Sequence, residues 1–441
     1  MLNRLLNILL INLFSFLFIL LPNCLHAENL LEVYLLAVKY DPIVLAAQQN
    51  QLAEREQLVI ARSKMLPNVS FNGSQNYAQA TDKLYGLQNR KYNYKNYTLN
   101  IAQPIFEVVN WMNYGAVKKQ TLAALKKYED TEQKLILRVA EQYFATLVAV
   151  DQLETSRAVK QAFAKRLEQA NRQFKLGLTA ITDINEAQAK LDNASAKLIN
   201  DENALKTAKE GLNQIVGKFI DDIIPLKQEI PLVPPDPLLL DPWLEKARKN
   251  NIKLQAIRLD AEAARENIRV ASSRHLPTIN ANGSISKSKT PPPGPNKRFV
   301  REIAVGLEVP IFSGGSTVAN AEAAIFKANA AFQQLESVYR DVESNTRIAY
   351  NSILTQISQV DALSQSVNSS KVALKATQKA FEVGTRTIVD VLNSQSDLLN
   401  TQKDYAKAKY DYIMNCLKLK QVTGALSVVD LEQINNLLEI N

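Results

Sequence analysis

Cysteine and histidine are nearly absent from this chain, which has two of each among its 441 residues. Disulfide frameworks and zinc clusters need more of them, so the sequence excludes both. A nucleophile elbow, a phosphate-binding loop and metal-ligand spacings are also missing. His275 lies near Pro277, where we expect a helix to give way to a strand, and histidine there is typically structural. We therefore predict that the chain is not an enzyme and has no cofactor.

A block of like charge is also missing. The chain has 52 basic and 44 acidic residues and a formal net charge of +8, with the two signs interspersed. Nucleic-acid binding usually shows as a basic stripe or cluster, so we predict no nucleic-acid partner.

Long apolar runs occur only at the N-terminus. Residues 1–27 are typical of a secretory signal, with Arg4, a predominantly apolar run over 5–21 and a cleavage point after Ala27. A retained anchor is the alternative, and lipidation of Cys24 is disfavoured because the residue before it is not small. No later run of 18 apolar residues exists, so any membrane role must come from strands.

Glycine and proline are missing from two long stretches. None occurs between Gly115 and Gly177, or in the 68 residues between Gly315 and Gly384. Both stretches are rich in Ala, Gln, Lys, Glu and Leu, which predicts very long helices. At 1.5 Å per residue the second would reach roughly 100 Å, well beyond a bilayer core of about 30 Å.

A heptad pattern follows the first of these stretches. Leucine recurs every seven residues from Leu191 to Leu212, and small or branched apolar residues fill the alternating positions. Asp201 interrupts the pattern once. The spacing predicts coiled-coil packing with closely approaching helices.

The sequence is an internal duplication. Residues 37–74 align without gaps on 247–284 with 13 of 38 positions identical, and 174–188 align on 381–395. Each unit is expected to read helix, strand, loop, strand, very long helix, glycine turn and helix. The predicted divisions of the chain are a first repeat at 28–217, an irregular linker at 218–242, a second repeat at 243–424 and a tail at 425–441. The β-hairpins are expected at about 67–106 and 277–312. The tip turns, where each long helix folds back, are expected at about 177 and 384.

The predicted strands alternate between an apolar face and a face of Asn, Ser and Thr. In the last strand the apolar face runs from Phe299 to Ile311. This pattern is typical of a lipid-facing barrel with a watery lumen, and a soluble two-sided sheet is the alternative. The signal sequence favours the barrel. Four strands cannot close one alone, so copies must share it: a dimer would supply eight strands and a trimer twelve.

The two hairpin loops, 81–91 and 289–298, are basic. Their lysines and arginines could contact anionic lipid headgroups, or could simply be solvated loop charge.

Four motifs carry a family resemblance: LGLTAITD at 176–183, HLPT at 275–278, VPIFSGG at 309–315 and VGTRTIVDVL at 383–392. Together with the duplication they resemble the TolC family of outer-membrane secretion and efflux channels, from about Glu28 onwards. The resemblance implies a homotrimer, a twelve-stranded barrel in the outer membrane of a Gram-negative bacterium and a helical tunnel through the periplasm. It implies an exit duct for type I secretion and multidrug efflux. The implied partners are a periplasmic adaptor (membrane fusion) protein and an inner-membrane ABC or RND-type transporter.

The resemblance also implies a gate at the two glycine turns. Thr182 and Asp183 match gate positions of the first tip, and Arg386 matches the basic residue of the second tip that bonds to them. Phe381 stands where the family has tyrosine, so that hydroxyl bond is missing.

The narrowest point of the implied channel is lined by Asp390. The family has a second aspartate ring there, and this chain has Asn393 instead. Thr387 and Asp390 also predict a capping box for the return helix. The resemblance places the adaptor contacts at Gly177, Leu178, Gly384 and Thr385.

A structural coiled-coil protein of the envelope without a pore is the alternative function. Such a protein would need neither the strands nor the tip arginine.

Overall fold

The structure is a computed structural model that describes residues 27–82, 87–177, 180–289 and 297–439. The predicted signal up to residue 26 and the predicted adaptor contact Leu178 lie outside the described residues.

Two units with the same order of elements follow each other, as the internal duplication predicts. The first contains α1 (Leu30–Tyr40), α2 (Pro42–Ser63), β1 (Asn68–Asp82), β2 (Leu87–Phe106), α3 (Val108–Lys175) and α4 (Ile181–Val216). The second contains α5 (Leu240–Asn250), α6 (Ile252–Ser272), a 3-10 turn (Ser273–His275), β3 (Thr278–Ser288), β4 (Arg298–Glu308), α7 (Ser316–Glu382) and α8 (Ile388–Val422). A short helix, α9 (Val428–Asn435), follows.

The leading helix of each unit is two helices, and the expectation of a single helix is wrong. Asp41 caps α2 by accepting a hydrogen bond from the Val44 N–H at 3.1 Å, and Pro42 at the first helical position cannot continue α1. Asn251 breaks the second unit in the same way, because its side chain accepts from the Leu254 N–H at 2.8 Å.

Two very long helices dominate each unit, as the missing glycine and proline predict. Helix α3 has 68 residues and α7 has 67, and each folds back on a return helix of about half its length. Along α4 every predicted seam position is buried or half-buried.

Asp201, which interrupts the heptad, is itself in this seam. Its carboxylate accepts hydrogen bonds from the Ser156 hydroxyl and, at 3.1 Å, from the Gln152 amide of α3. The interruption is therefore a satisfied polar layer.

The four strands form one antiparallel sheet in the order β1-β2-β3-β4. Val69, Ile101, Gly283 and Ile303 lie side by side across it. Strand β4 ends at Glu308, so the predicted continuation through Val309 to Ile311 is wrong. Pro310 has no N–H to donate to a neighbouring strand.

The predicted apolar face of the sheet is exposed in the single chain. Phe71 is 68% exposed and Ile303 is 91% exposed. Among the described residues, no helix combines the length and the apolar character that crossing a membrane requires.

The main core lies midway along the long helices. It packs α1 and α9 against the middle of α3 and α7 and the ends of α4 and α8. Tyr143 of α3 is fully buried there, and its hydroxyl donates to the Ile224 carbonyl of the linker at 2.7 Å. The linker and the tail meet at a bridge between Leu226 and Leu438. This core holds the helices together well away from the turns, which leaves both hairpin tips projecting.

Candidate gate at the helical tips

The described residues of the two tips have the same backbone geometry. Gly177 and Gly384 have φ values of +72° and +81°, which side chains with a Cβ rarely adopt. Each glycine N–H donates a hydrogen bond to the backbone carbonyl three residues earlier, that of Phe174 at 2.9 Å in the first tip and that of Phe381 at 3.0 Å in the second. In the second tip, the Thr385 N–H also donates to the Ala380 carbonyl at 2.9 Å. Such bonds satisfy the last carbonyls of a helix and fix the turn.

The return helices begin differently. Thr387 and Asp390 form the predicted capping box: the Thr387 N–H donates to Asp390 Oδ2 at 2.9 Å, and the Asp390 N–H donates to Thr387 Oγ1 at 3.2 Å. At the first tip the N-cap residue is Ala180, which has no side-chain acceptor. Asp183 lies in the first turn of α4, where a negative charge is favourable at the helix N-terminus.

Asp390 is held in its ionised form. The Thr387 backbone N–H, followed by the Thr387 hydroxyl and the nearby Arg386 charge, lowers the pKa of Asp390 below its ordinary value. The Arg386 guanidinium approaches the carboxylate with Nη1 at 4.0 Å from Oδ1. Because this contact is long and the Arg386 side chain is 63% exposed, the guanidinium keeps donors for other partners.

A buried arginine that sequence analysis missed lies beside the first tip. Arg166 of α3 is only 9% exposed. It lines a small cavity of about 40 Å³ between α3, α4 and α8, together with Asp183 and Asn393. Burial lowers the pKa of Arg166 and the Asp183 charge opposes that shift. Its Nη1 makes no hydrogen bond within the described part of the chain.

One signal for Arg166 was available in the sequence. Folding the first hairpin about Gly177 brings this stretch of α3 opposite the start of α4, and Arg166 is a cation facing an acidic first turn. Its contact with α8 was not predictable, since that requires the packing of the two hairpins against each other.

The predicted gate and constriction residues lie beside two different arginines. Asp183 and Asn393 line the cavity beside Arg166, whereas Arg386 lies next to Asp390. Phe381 is half-buried, and the remaining predicted residues that are described are exposed: Thr182, Gly177, Gly384 and Thr385. Within the described ranges, no group of three or more His, Cys, Asp or Glu residues is placed to hold a metal ion.

The chain combines a sheet that has an exposed apolar face with paired helices far longer than a bilayer is thick. This combination defines the class of outer-membrane channels. The family model "Outer membrane efflux protein" matches residues 33–218 and 243–425. The chain belongs to this family, and the resemblance carried by its tip motifs is confirmed.

Two relatives and one solved structure illustrate the similarity. The outer membrane protein TolC of Vibrio cholerae is 34% identical over 95% of this chain and 96% of its own length. The alkaline protease secretion protein AprF of Pseudomonas aeruginosa is 28% identical over 96% of this chain and 90% of its own. The fold matches the crystal structure of the Campylobacter jejuni CmeC outer membrane channel with a TM-score of 0.77 at 18% identity, covering 94% of this chain and 90% of that one.

These findings confirm the predicted fold class, function and location. A helical coiled-coil tunnel continues a membrane barrel to which each of three copies supplies four strands. The protein is an exit duct of the outer membrane, with helices that extend into the periplasm. None of the relatives supports an envelope protein without a pore.

Proposed function

We propose that the two tips of each chain form a gate in which the second tip supplies the donor and the first tip the acceptors. Arg386 bonds to Asp183 and Thr182, within one copy and between copies of the trimer. The observation that carries this proposal is the exposed Arg386 guanidinium, whose one ion pair within the described part of the chain is the long contact to Asp390. Its planar fork can join a carboxylate and a hydroxyl at once.

The free energies of hydrogen bonds favour Arg386 as the residue that makes the main closing contact. A hydrogen bond that involves a charged group contributes about 1.5–3 kcal/mol, and a neutral one about 1 kcal/mol. Phe381 can pack within the tip but donates no hydrogen bond. The closed ring therefore depends on the arginine, and the repetition in three copies multiplies its effect.

Asp390 forms a single carboxylate ring at the constriction. Like any exposed aspartate it is charged at neutral pH, and its lowered pKa extends that charge to lower pH, so the pore prefers cations. Asn393 in place of a second carboxylate makes that preference weaker than two rings would. Asp390 thus combines helix capping and selectivity.

The tips also receive the periplasmic adaptor, at Gly177, Leu178, Gly384 and Thr385. Apolar side chains flank these turns and are strongly exposed: Leu176 is 72% exposed and Val383 is 75% exposed. Such residues beside helical seams suit the helical hairpin of an adaptor. Through the adaptor the duct is coupled to an inner-membrane ABC or RND-type transporter, as a transport protein with no catalytic role and no nucleic-acid partner. Type I secretion is one such role, and the Pseudomonas relative is named for the secretion of an alkaline protease.

Cross-linking from whole cells tests this coupling. Cysteine is introduced at Leu176 or Val383 in a Cys416→Ser background, with Ile199→Cys as the control because Ile199 is 65% exposed but lies on α4 away from the turns. The tip variants should capture an adaptor and a transporter, identified by mass spectrometry, and the control should not. Equal capture by all three variants, or none by the tips, would contradict docking at the turns.

A further inference from the structure

Basic side chains share the outward face of the sheet with its apolar residues. The rows Phe71–Leu99–Ile285–Arg301 and Gly73–Tyr97–Lys287–Phe299 run across the four strands. Lys95 is two residues from Tyr97 and so lies on the same face, as does Lys91. Exposure alternates accordingly: Lys95, Tyr97 and Leu99 are exposed, and the residues between them are half-buried. We call Lys91, Lys95, Lys287 and Arg301 the outward basic band.

No carboxylate balances this charge on the outward face of the described strand segments. The β4 carboxylates Glu302 and Glu308 are an odd number of residues from Arg301, so they lie on the inner face, because successive residues of a strand point to opposite faces. Outward positions hold no carboxylate in any of four described strand segments: 69–79, 91–101, 279–287 and 299–307. Within these segments the band is therefore a group of charges of one sign on a face that is otherwise uncharged.

The band lies at the end of the sheet away from the helices. The long helices begin next to Phe106 and beyond Glu308, so the opposite ends of the strands face the cell surface. Arg301 is six residues from Leu307, about 20 Å along the strand. That separation is comparable to the apolar band of about 25 Å on membrane barrels, whose borders carry aromatic girdles. Tyr77, Tyr97 and Phe299 lie among these basic residues, are exposed and fit such a girdle.

The chemistry of the band suits phosphate. Arginine offers a planar fork that matches phosphate oxygens, and lysine offers a point charge. The Arg301 guanidinium is 5.2 Å from the centre of the Phe299 ring. An aromatic ring under a guanidinium holds it at the boundary between apolar and polar regions.

We propose that the outward basic band binds the phosphate groups of the glycolipid in the outer leaflet of the outer membrane. The position of the band near the cell surface selects that leaflet, and its charge selects phosphorylated headgroups. The site occurs once in each copy and uses no residue of the gate. It depends on the outer-membrane location but not on the roles assigned to the tips.

Lipid binding to the purified trimer in nanodiscs tests the proposal. The probe is fluorescent bisphosphorylated lipid A, and it is compared with its dephosphorylated form and with phosphatidylglycerol at equal charge. The triple variant K95Q/K287Q/R301Q should bind lipid A at least about tenfold more weakly, since each basic residue near an anionic surface contributes measurably. The control variant K371Q/K375Q/K379Q removes three exposed charges from α7 and should bind like the wild type.

Two single variants of one strand distinguish lost lipid binding from a general folding defect. Arg298 and Arg301 are on the same strand but on opposite faces. R301Q should weaken lipid A binding several-fold and R298Q should not. Equal losses in both, unchanged binding in the triple variant, or equally tight binding of dephosphorylated lipid A or phosphatidylglycerol would overturn the assignment. Loss of lipid binding with intact capture of the adaptor would separate this site from the tips.

Discussion

The two tips of the chain share a backbone and differ in chemistry. Both turn through a glycine of positive φ. The second begins its return helix with a capping box, whereas the first begins with Ala180 and places Asp183 beside the buried Arg166. The two copies have kept the glycine that the turn requires, but the side chains around that glycine differ. Both tips carry an aspartate at the aligned position, Asp183 and Asp390, but only the second has the exposed Arg386 beside it.

The coiled-coil seams above the tips differ in a similar way. Asp201 of the first hairpin aligns with Ala408 of the second, 207 residues later as for the tips. Asp201 is bonded to Ser156 and Gln152, while the carbonyl of buried Ala408 accepts from Gln356 Nε2 at 3.1 Å. Only the first hairpin therefore has a buried carboxylate at this level of its seam. Two hairpins with the same order of elements thus carry different polar layers in their seams.

Removing the arginine of the second tip should give the largest effect. Arg386→Ser deletes the donor that the first tip cannot replace, so the resting channel should open markedly. Single-channel conductance in planar bilayers measures this, with antibiotic entry into cells as a check. Arg172→Ser removes an exposed arginine of the first tip and should leave the conductance unchanged. Resting conductance of Arg386→Ser equal to that of the wild type would show that another contact closes the tips.

Changing the constriction should have the next largest effect. Asp390→Asn should reduce cation preference, and Asn393→Asp should strengthen block by multivalent cations because a second carboxylate reinforces the field. Reversal potentials and block in bilayer recordings measure both. Asp397→Asn, two turns further along α8, is the control. If neither change alters selectivity or block, Asp390 is a capping residue only.

Replacing the buried arginine of the first tip should have a smaller effect. Arg166→Gln removes the cation beside Asp183 but also a guanidinium whose Nη1 has no partner in the described chain, so the free energy of unfolding should change by only about 1 kcal/mol. The first tip loses a positioning contact, so resting conductance should rise, though less than in Arg386→Ser. Lys165→Gln, the exposed neighbour, is the control. A rise no larger than in that control would leave Arg166 without a part in closure.

Restoring the missing hydroxyl should have the smallest effect. Phe381→Tyr adds a neutral donor of about 1 kcal/mol to the second tip and should make the resting channel quieter. The aligned residue of the first tip, Phe174, supplies the control Phe174→Tyr. Identical noise in both variants would mean that the hydroxyl position is not used for closure.

Much of the fold was predictable because it depends on local rules. The absence of glycine and proline predicted the long helices. The alternation of apolar and polar residues predicted the strands, and Gly177 and Gly384 predicted the turns. The break at Asp41–Pro42 was also local but was overlooked within an otherwise helical pattern. The end of β4 at Glu308 was hidden because the apolar alternation continues past Pro310 to Ile311.

The candidate site was less predictable because it depends on packing between elements. The capping box of Thr387 and Asp390 could be seen from spacing. The burial of Arg166 could not, because it requires α8 to pack across the first hairpin. Similarly, the polar partners of Asp201 lie on another helix, so the sequence showed only an interruption.

The central claim is that Arg386 of the second tip and Asp183 of the first close the channel together. A double-mutant cycle with Asp183→Asn, Arg386→Ser and the double variant tests it most directly, with resting open probability in planar bilayers as the measured quantity. If the two residues act on each other, the double variant should open no more than Arg386→Ser alone. Effects of the two single variants that simply add in free energy would show that the residues act independently, and would contradict the claim.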